Sequence, residues 1–260
     1  MAGAILPCPI GWRIAIWPPI RVTLHWDACL NVRDLGGFPA RDGRTTRSHA
    51  VIRADNLCRL TAHGRGALLR YGVRTAIDLR DPREYPLEHD PFSRGALTEV
   101  GRVGIPLLTQ GFWRAWHSGI GAHEGDLLCL ETCRERFATL FTALAAAPDG
   151  AIVMYCHAGK ERTGIAAALL LELAGVDRAT IGREHALSDE HLAPLYSAWR
   201  EAEPDPEERQ RLTQALRPDP EQMMLTLDAL DELYGGIERY LLECGIAARD
   251  IVAVRDRIIV

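Results

Sequence analysis

The residues with the most chemistry lie together in one run, Cys156-His157-Ala158-Gly159-Lys160-Glu161-Arg162-Thr163-Gly164. The apolar run Ala151-Ile152-Val153-Met154-Tyr155 precedes it, and Ile165-Ala166-Ala167-Ala168-Leu169-Leu170-Leu171 follows. The first run has the length and continuity of a strand buried on both faces. The second reads as a helix interior, so the chemistry-bearing residues are the loop of a strand–loop–helix unit of the parallel-sheet type. Backbone N–H groups in a tight loop that opens onto a helix N-terminus converge on an anion, aided by the positive end of the helix dipole. Gly159 and Gly164 let the backbone turn and approach closely. Arg162 can fork onto two oxygens of a phosphate. In the same field the Cys156 thiol is expected to ionise, since thiols at helix N-termini beside cations have pKa values of roughly 3.5–7.5. A thiolate facing a bound phosphate monoester is a nucleophile aimed at phosphorus. Thr163 is expected to donate its hydroxyl to the sulfur and so ease its departure in a second step. His157, Ala158, Gly159, Lys160, Glu161, Arg162 and Thr163 are therefore the candidate phosphate-binding residues.

Three other readings compete. A nucleotide P-loop would need Gly at 154 and Ser or Thr at 161, where Met154 and Glu161 stand. The cysteine could be buried and inert. An anion-binding loop without catalysis is the third. A catalytic loop also needs a proton donor for the leaving alkoxide or phenoxide. Asp78 is the first candidate, because it ends the strand-like run Val73–Leu79 and functional groups of open α/β sheets gather at carboxyl ends of strands. Its plainer reading is a structural partner of Arg80 or Arg162. Glu161 is the second candidate, with a solvated loop residue paired to an arginine as its plainer reading. Asp81, before Pro82, reads as a turn or cap. Arg33 and Asp34 read as an ion pair or turn ahead of Gly36-Gly37.

These residues need a framework, and the composition supplies one. The chain has 260 residues, 47% of them apolar and 25% charged, which is the range of an ordinary globular protein. The net charge of −5 and a pI near 6.0 argue against a basic face for nucleic acid. Of 30 basic residues, 29 are Arg and one, Lys160, is Lys. The seven cysteines include no Cys-x-x-Cys pair, so neither a disulfide framework nor a structural zinc site is expected. Cys129 and Cys133 read as small apolar residues facing a core. No apolar run approaches membrane-spanning length, and the N-terminus lacks the basic region of a signal peptide. Reduced thiols point to a cytoplasmic protein without stable membrane insertion.

Residues 1–25 read as an irregular, Pro-rich leader, and 26–260 as a single domain with no linker inside it. Ala50–Arg53 reads as a strand; Thr61 caps a helix that stops at Gly72. The stretch from Gly101 to Gly125 is too glycine-rich for continuous regular structure, and Cys129–Ala147 reads as one amphipathic helix. Leu225–Leu242 and Ile251–Val260 read as packed terminal helices. The expected fold is α/β, a central, mainly parallel sheet flanked by helices, with a helical C-terminal part.

The loop resembles the signature of cysteine-dependent protein tyrosine phosphatases. More narrowly, the chain is similar to the bacterial tyrosine/serine phosphatases related to a secreted mycobacterial enzyme that also accepts phosphoinositides. Asn31-Val32-Arg33-Asp34-Leu35-Gly36-Gly37, Ile77-Asp78-Leu79-Arg80, Ala186-Leu187-Ser188-Asp189 and Tyr234-Gly235-Gly236-Ile237-Glu238-Arg239-Tyr240-Leu241 match that family in order. The resemblance implies a cysteine-phosphatase-like fold and a catalytic carboxylate inside the loop at Glu161. Its substrates would be phosphorylated protein or phosphoinositide. It also implies no cofactor, the loop itself supplying the positive field. Lys160 would add charge near the rim, a compact ammonium fitting where a second guanidinium would crowd the first. The helical stretch from Ser188 to Leu216 would cover the site or simply pack. Three positions depart from the family pattern: Tyr155 stands where His is usual, Glu161 where Asp is common, and Ala54 in a stretch that usually reads Arg-Ser-Asp. A phosphate-binding pseudophosphatase is the alternative function, and the sequence leaves substrate preference and oligomeric state open.

Overall fold

A computed structural model describes residues 23–84, 91–92, 95–116, 120–215 and 219–260. Most of the expected leader, residues 1–22, lies outside the described residues. The chain forms β1 (Arg33–Asp34), β2 (Val51–Ala54), α1 (Ala62–Arg70), β3 (Val73–Asp78) and β4 (Gly101–Gly104). There follow α2 (Gln110–Ala115), α3 (Ala122–Thr132), α4 (Arg134–Ala146), β5 (Ala151–Tyr155) and α5 (Glu161–Leu173). The rest is helical: α6 (Arg178–His191), α7 (Ala193–Ala202), α8 (Pro206–Ala215), α9 (Pro220–Tyr234), α10 (Ile237–Glu243) and α11 (Ala248–Ile258). The strands make one sheet in the order β1-β2-β5-β3-β4. Only the β1–β2 pair is antiparallel; β2, β5, β3 and β4 run parallel, as the apolar strand runs predict.

Strand β5 is central, and its alternating side chains fill two cores. Ile152 and Met154 join the larger core with α3, α4, α5 and the C-terminal helices, while Ala151, Val153 and Tyr155 face Trp26, Leu57, Leu60 and Leu68. That is why the run carries no polar residue: each face of a period-2 strand is buried. Each fully buried Ile, Val or Met here contributes roughly 1.5–3 kcal/mol. Helix α5 is buried from Thr163 through Leu173, lying between the sheet and a second layer that includes α6, α9, α10 and α11. Gly164 permits the approach of α6, since a Cβ there would fall 2.7 Å from the His185 ring. The parallel strands thus end on one edge, and β5 delivers Cys156 to it.

Three readings of the sequence change. The single helix over Cys129–Ala147 is two, broken at Cys133. The Thr132 carbonyl, which an unbroken helix would give to Arg136 N–H, accepts from the Thr109 hydroxyl at 3.1 Å, and Arg136 N–H turns to Cys133 O at 2.9 Å. Cys129 and Cys133 are both buried in the core. The glycine-rich stretch contains β4, an edge strand with one apolar side chain, Val103, too sparse to show by alternation. The helix expected over Leu225–Leu242 is divided by Gly235 and Gly236, whose φ of +76° and +110° end α9 in left-handed backbone. No helix among the described residues is long and apolar enough to cross a membrane.

Candidate active site

Cys156 emerges from β5 with 1% of its surface exposed. The loop behind it is held from the β1–β2 side. Asn31 Nδ2 donates to Ala158 O at 2.9 Å, Asn56 N–H to His157 O at 3.1 Å, and Arg53 Nη2 to Gly159 O at 2.6 Å. With its carbonyls fixed there, the loop turns the Gly159 N–H onto Cys156 Sγ at 3.2 Å. Gly159 has φ +68°, and a Cβ at this position would sit 2.4 Å from Ala54 O. Only glycine meets both demands.

Arg162, in the first turn of α5, points its terminal nitrogens at Glu84, with Nη1–Oε1 at 2.5 Å and Nη2–Oε2 at 3.0 Å. Burial opposes the Arg162 charge, but the nearby Cys156 sulfur and Glu84 carboxylate outweigh it and hold its pKa above the ordinary value. Burial likewise opposes the Glu84 charge, and the pairing with Arg162 overcomes it, holding that carboxyl below its usual range. Arg162, Glu84 and His157 border a cavity of about 570 Å³ walled by Leu108 and Trp113. A guanidinium, a loop of backbone donors and a cysteine at one strand end can bind a phosphate monoester and present sulfur to it.

Asp78 is fully buried at the end of β3, and both its oxygens are taken. Oδ1 accepts from Arg80 N–H at 3.0 Å and Arg80 Nε at 2.9 Å. Oδ2 accepts from Arg80 Nη2, Arg102 Nη2 and Tyr155 Oη, each at 2.8 Å. Burial would raise its pKa, but the two guanidiniums pull it below the usual carboxylate range. Tyr155, where the family pattern has His, therefore spends its hydroxyl on this network. Glu161 is the other carboxylate of the prediction; it opens α5 and is exposed.

A model of the tyrosine phosphatase family matches residues 24–260. The chain belongs to the tyrosine phosphatase family. A tyrosine-protein phosphatase of Nostoc commune is 31% identical over 230 residues, 85% of this chain and 78% of the relative. The triple specificity protein phosphatase PtpB of Mycobacterium tuberculosis is 29% identical over 276 residues, 86% of this chain and 98% of the relative.

In this phosphatase the lysine of the loop departs from the expected rim position. Lys160 is buried, donates from Nζ to Asp189 of α6 at 2.6 Å, and lies 5.8 Å from the centre of the Tyr196 ring of α7. The helices after Gly175 close over it, and an ammonium this deep requires a carboxylate partner. His157 stacks on Trp199 of α7 with ring centres 6.3 Å apart. Thr163 is fully buried and its hydroxyl has no hydrogen-bond partner among the described residues, so the expected bond to the sulfur is not made; the Gly159 N–H serves the sulfur instead. Arg33 and Asp34 do not pair, because successive strand residues point to opposite faces. Arg33 Nε donates to Glu184 of α6 at 2.6 Å, while Asp34 accepts from the backbone N–H groups of Gly36 and His49 at 2.9 and 2.8 Å. Glu184 also accepts from Arg53 Nη1 at 2.6 Å, so one buried carboxylate holds two buried guanidiniums, one of which holds the loop.

Sequence reasoning did not single out Glu84, Glu184 or Trp113. A signal for Glu84 exists: Asp81-Pro82-Arg83-Glu84 is a reciprocal cap. Asp81 accepts from Arg83 N–H at 2.9 Å, and Glu84 accepts from Asp81 N–H at 2.8 Å. It predicts the turn but not the ion pair to Arg162. The pairing of Glu184 with arginines 151 and 131 residues away has no local signal.

Proposed function

We propose that this phosphatase hydrolyses phosphate monoesters through a phosphocysteine on Cys156. Its principal substrate is phosphotyrosine in proteins; phosphoserine, phosphothreonine and phosphoinositides belong to the same reacting class. The observation that carries the reading is the junction of β5 and α5. There the sulfur receives a loop N–H, and Arg162 faces a cavity shared with His157. In the first step Cys156 sulfur attacks phosphorus, Arg162 and the loop amides hold the equatorial oxygens, and the P–O bond to the leaving group breaks as a carboxylic acid protonates it. In the second step water, deprotonated by the same carboxylate, attacks phosphorus and the sulfur leaves as thiolate.

We assign the acid–base role to Glu161. Asp78 accepts five hydrogen bonds from two arginines and a tyrosine and is held below the ordinary range, which leaves no proton to give. Glu161 is the exposed carboxylate inside the loop. The Leu108 and Trp113 walls support an aromatic leaving group, which an indole face accommodates. The relative named for triple specificity supports the wider substrate range. The family match over 24–260 supports a catalytic domain spanning 26–260, and free thiols support a reducing, cytoplasmic setting.

The test is phosphate release in EDTA from a phosphotyrosine peptide, a phosphoserine peptide and soluble phosphoinositide head groups. Wild type is compared with Cys156→Ser, Glu161→Gln and Asp78→Asn. Turnover abolished in Cys156→Ser, with acid quench trapping a phosphorylated wild-type enzyme, is expected. Glu161→Gln should lower kcat most for substrates with weakly acidic leaving groups, whereas Asp78→Asn should lower stability and leave that leaving-group dependence alone. Tight phosphopeptide binding with no turnover by wild type would replace catalysis with a phosphate-binding role.

A further inference from the structure

A second cleft abuts the candidate active site. It measures about 750 Å³ and shares Asp81, Arg83, Leu108 and Trp113 with the cavity that holds Arg162. Its remaining wall brings Arg114 from α2 and Arg136 from α4 to the same opening, beside Thr109 and Gln110. The charge is unusual for this molecule. The chain carries −5 overall, yet among the described residues this cleft is lined by three arginines and a single carboxylate, Asp81. Asp81 is already committed to Arg83, accepting from its Nε at 2.8 Å. Arg114 and Arg136 are exposed and have no carboxylate partner among the described residues, Arg114 touching only Gln110 Oε1 at 3.4 Å. Arg178, by contrast, is held by three carboxylates, Glu172, Asp228 and Asp231.

Two unpaired guanidiniums at one opening attract a dianion, and the planar fork of each suits phosphate or carboxylate oxygens. We propose that this cleft binds a second anionic group of the substrate, and that the substrate is a phosphopeptide in which an acidic or phosphorylated side chain neighbours the phosphotyrosine. This rests on the phosphotyrosine reading above. The shared wall carries the geometry. Because Leu108 and Trp113 line both cavities, a ring seated in the first leaves a neighbouring residue of the same peptide beside the second, which Arg114 and Arg136 line. The two arginines act on binding, since neither borders the cavity that holds Arg162.

The experiment measures kcat/KM for three phosphotyrosine peptides of one length: neutral flanks, a glutamate beside the phosphotyrosine, and a second phosphotyrosine there. Wild type is compared with the Arg114→Gln/Arg136→Gln double variant, and the same peptides are titrated calorimetrically onto Cys156→Ser with and without that pair of changes. The acidic peptides should exceed the neutral one by about tenfold, through KM, as expected for two solvent-facing charge contacts. That advantage should shrink with added salt and vanish in the double variant, with neutral-peptide turnover unchanged. Equal values for all three peptides, or a preference the double variant keeps, would overturn the proposal while leaving the catalytic reading intact. Failure of every peptide to turn over would defeat the catalytic reading. The affinity ratios on Cys156→Ser would then still decide on the cleft. An arginine-dependent gain for phosphoinositide vesicles but for no peptide would also overturn it.

Discussion

Glu184→Gln is the substitution from which the structure predicts most. Glu184 sits between Arg33 and Arg53 with all three side chains buried, and both guanidiniums meet it at 2.6 Å. Burial alone would raise its pKa, but the two arginines hold it down to about 2, against 4.5 for a free glutamate. A depressed carboxyl contributes stability that is fully present above the unfolded pKa and is lost as pH falls through the folded one. The window is therefore about pH 5 down to 2, and the size is roughly 3 kcal/mol at 1.36 kcal/mol for each tenfold change in proton affinity. Removing the charge also strands two buried cations, a change that costs about 3–5 kcal/mol where one partner of a buried pair is deleted. Both routes converge on about 3–4 kcal/mol at pH 7, a large share of the roughly 5–15 kcal/mol that separates folded from unfolded states. For a chain of this size that lowers Tm by roughly 6–15 °C. Urea unfolding of wild type and Glu184→Gln at pH 7, 5, 4 and 3 measures it. The gap should be widest at pH 7 and should narrow below pH 4.5. Arg53 also anchors Gly159 O, so kcat should fall even at temperatures where the variant is folded. A gap under 1 kcal/mol at pH 7, or one that stays constant to pH 3, would refute the account of the triad.

Asp126 gives the opposite sign. It is buried against Gln222 Nε2 at 2.8 Å and Thr226 Oγ1 at 3.3 Å, and burial pushes its carboxyl up from 3.8 to about 7. A raised carboxyl leaves stability untouched below pH 3.8 and lowers it progressively until the group ionises near pH 7. Asp126→Asn keeps an acceptor for Gln222 and should therefore stabilise the fold at pH 8 by at most about 4 kcal/mol, a gain in Tm that fades toward pH 5. A constant Tm difference across that range would contradict it. Glu84→Gln should free the Arg162 fork from its carboxylate clamp. Losing one charge-assisted pair is worth about 1.5–3 kcal/mol, so kcat/KM on a phosphotyrosine peptide should fall about 10–100-fold with little change in Tm. Unaltered kinetics would show that Arg162 needs no clamp.

The β5–loop–α5 unit was legible because its residues are contiguous: a buried strand, a glycine, a cation and a helix follow one another, and each is a local pattern. The parallel sheet was legible for the same reason, its strands being unbroken apolar runs. What surrounds the loop was not. Asp78 ends its strand where a general acid could stand, and nothing in Ile77-Asp78-Leu79-Arg80 says that Arg102 and Tyr155 complete its shell. Lys160 reads as a loop cation, and its burial follows from α6 and α7 folding over it, a packing set by residues thirty positions downstream. The break at Cys133 depends on a hydroxyl 24 residues away capturing one carbonyl. Long-range polar contacts leave no periodicity, and these are the contacts that hold the site.

The burial of Lys160 reaches beyond catalysis. It is the only lysine in 260 residues, so its folded chain offers amine-directed reagents no exposed ε-amino group. Acylating probes, carbonyl cross-linkers and enzymes that modify lysine all meet a surface written in arginine. The same fact turns Lys160 into a built-in reporter. Asp189 of α6 and Tyr196 of α7 cover its ammonium, so the rate of its modification by a small amine-reactive ester, read at that one internal residue, should rise each time those contacts part.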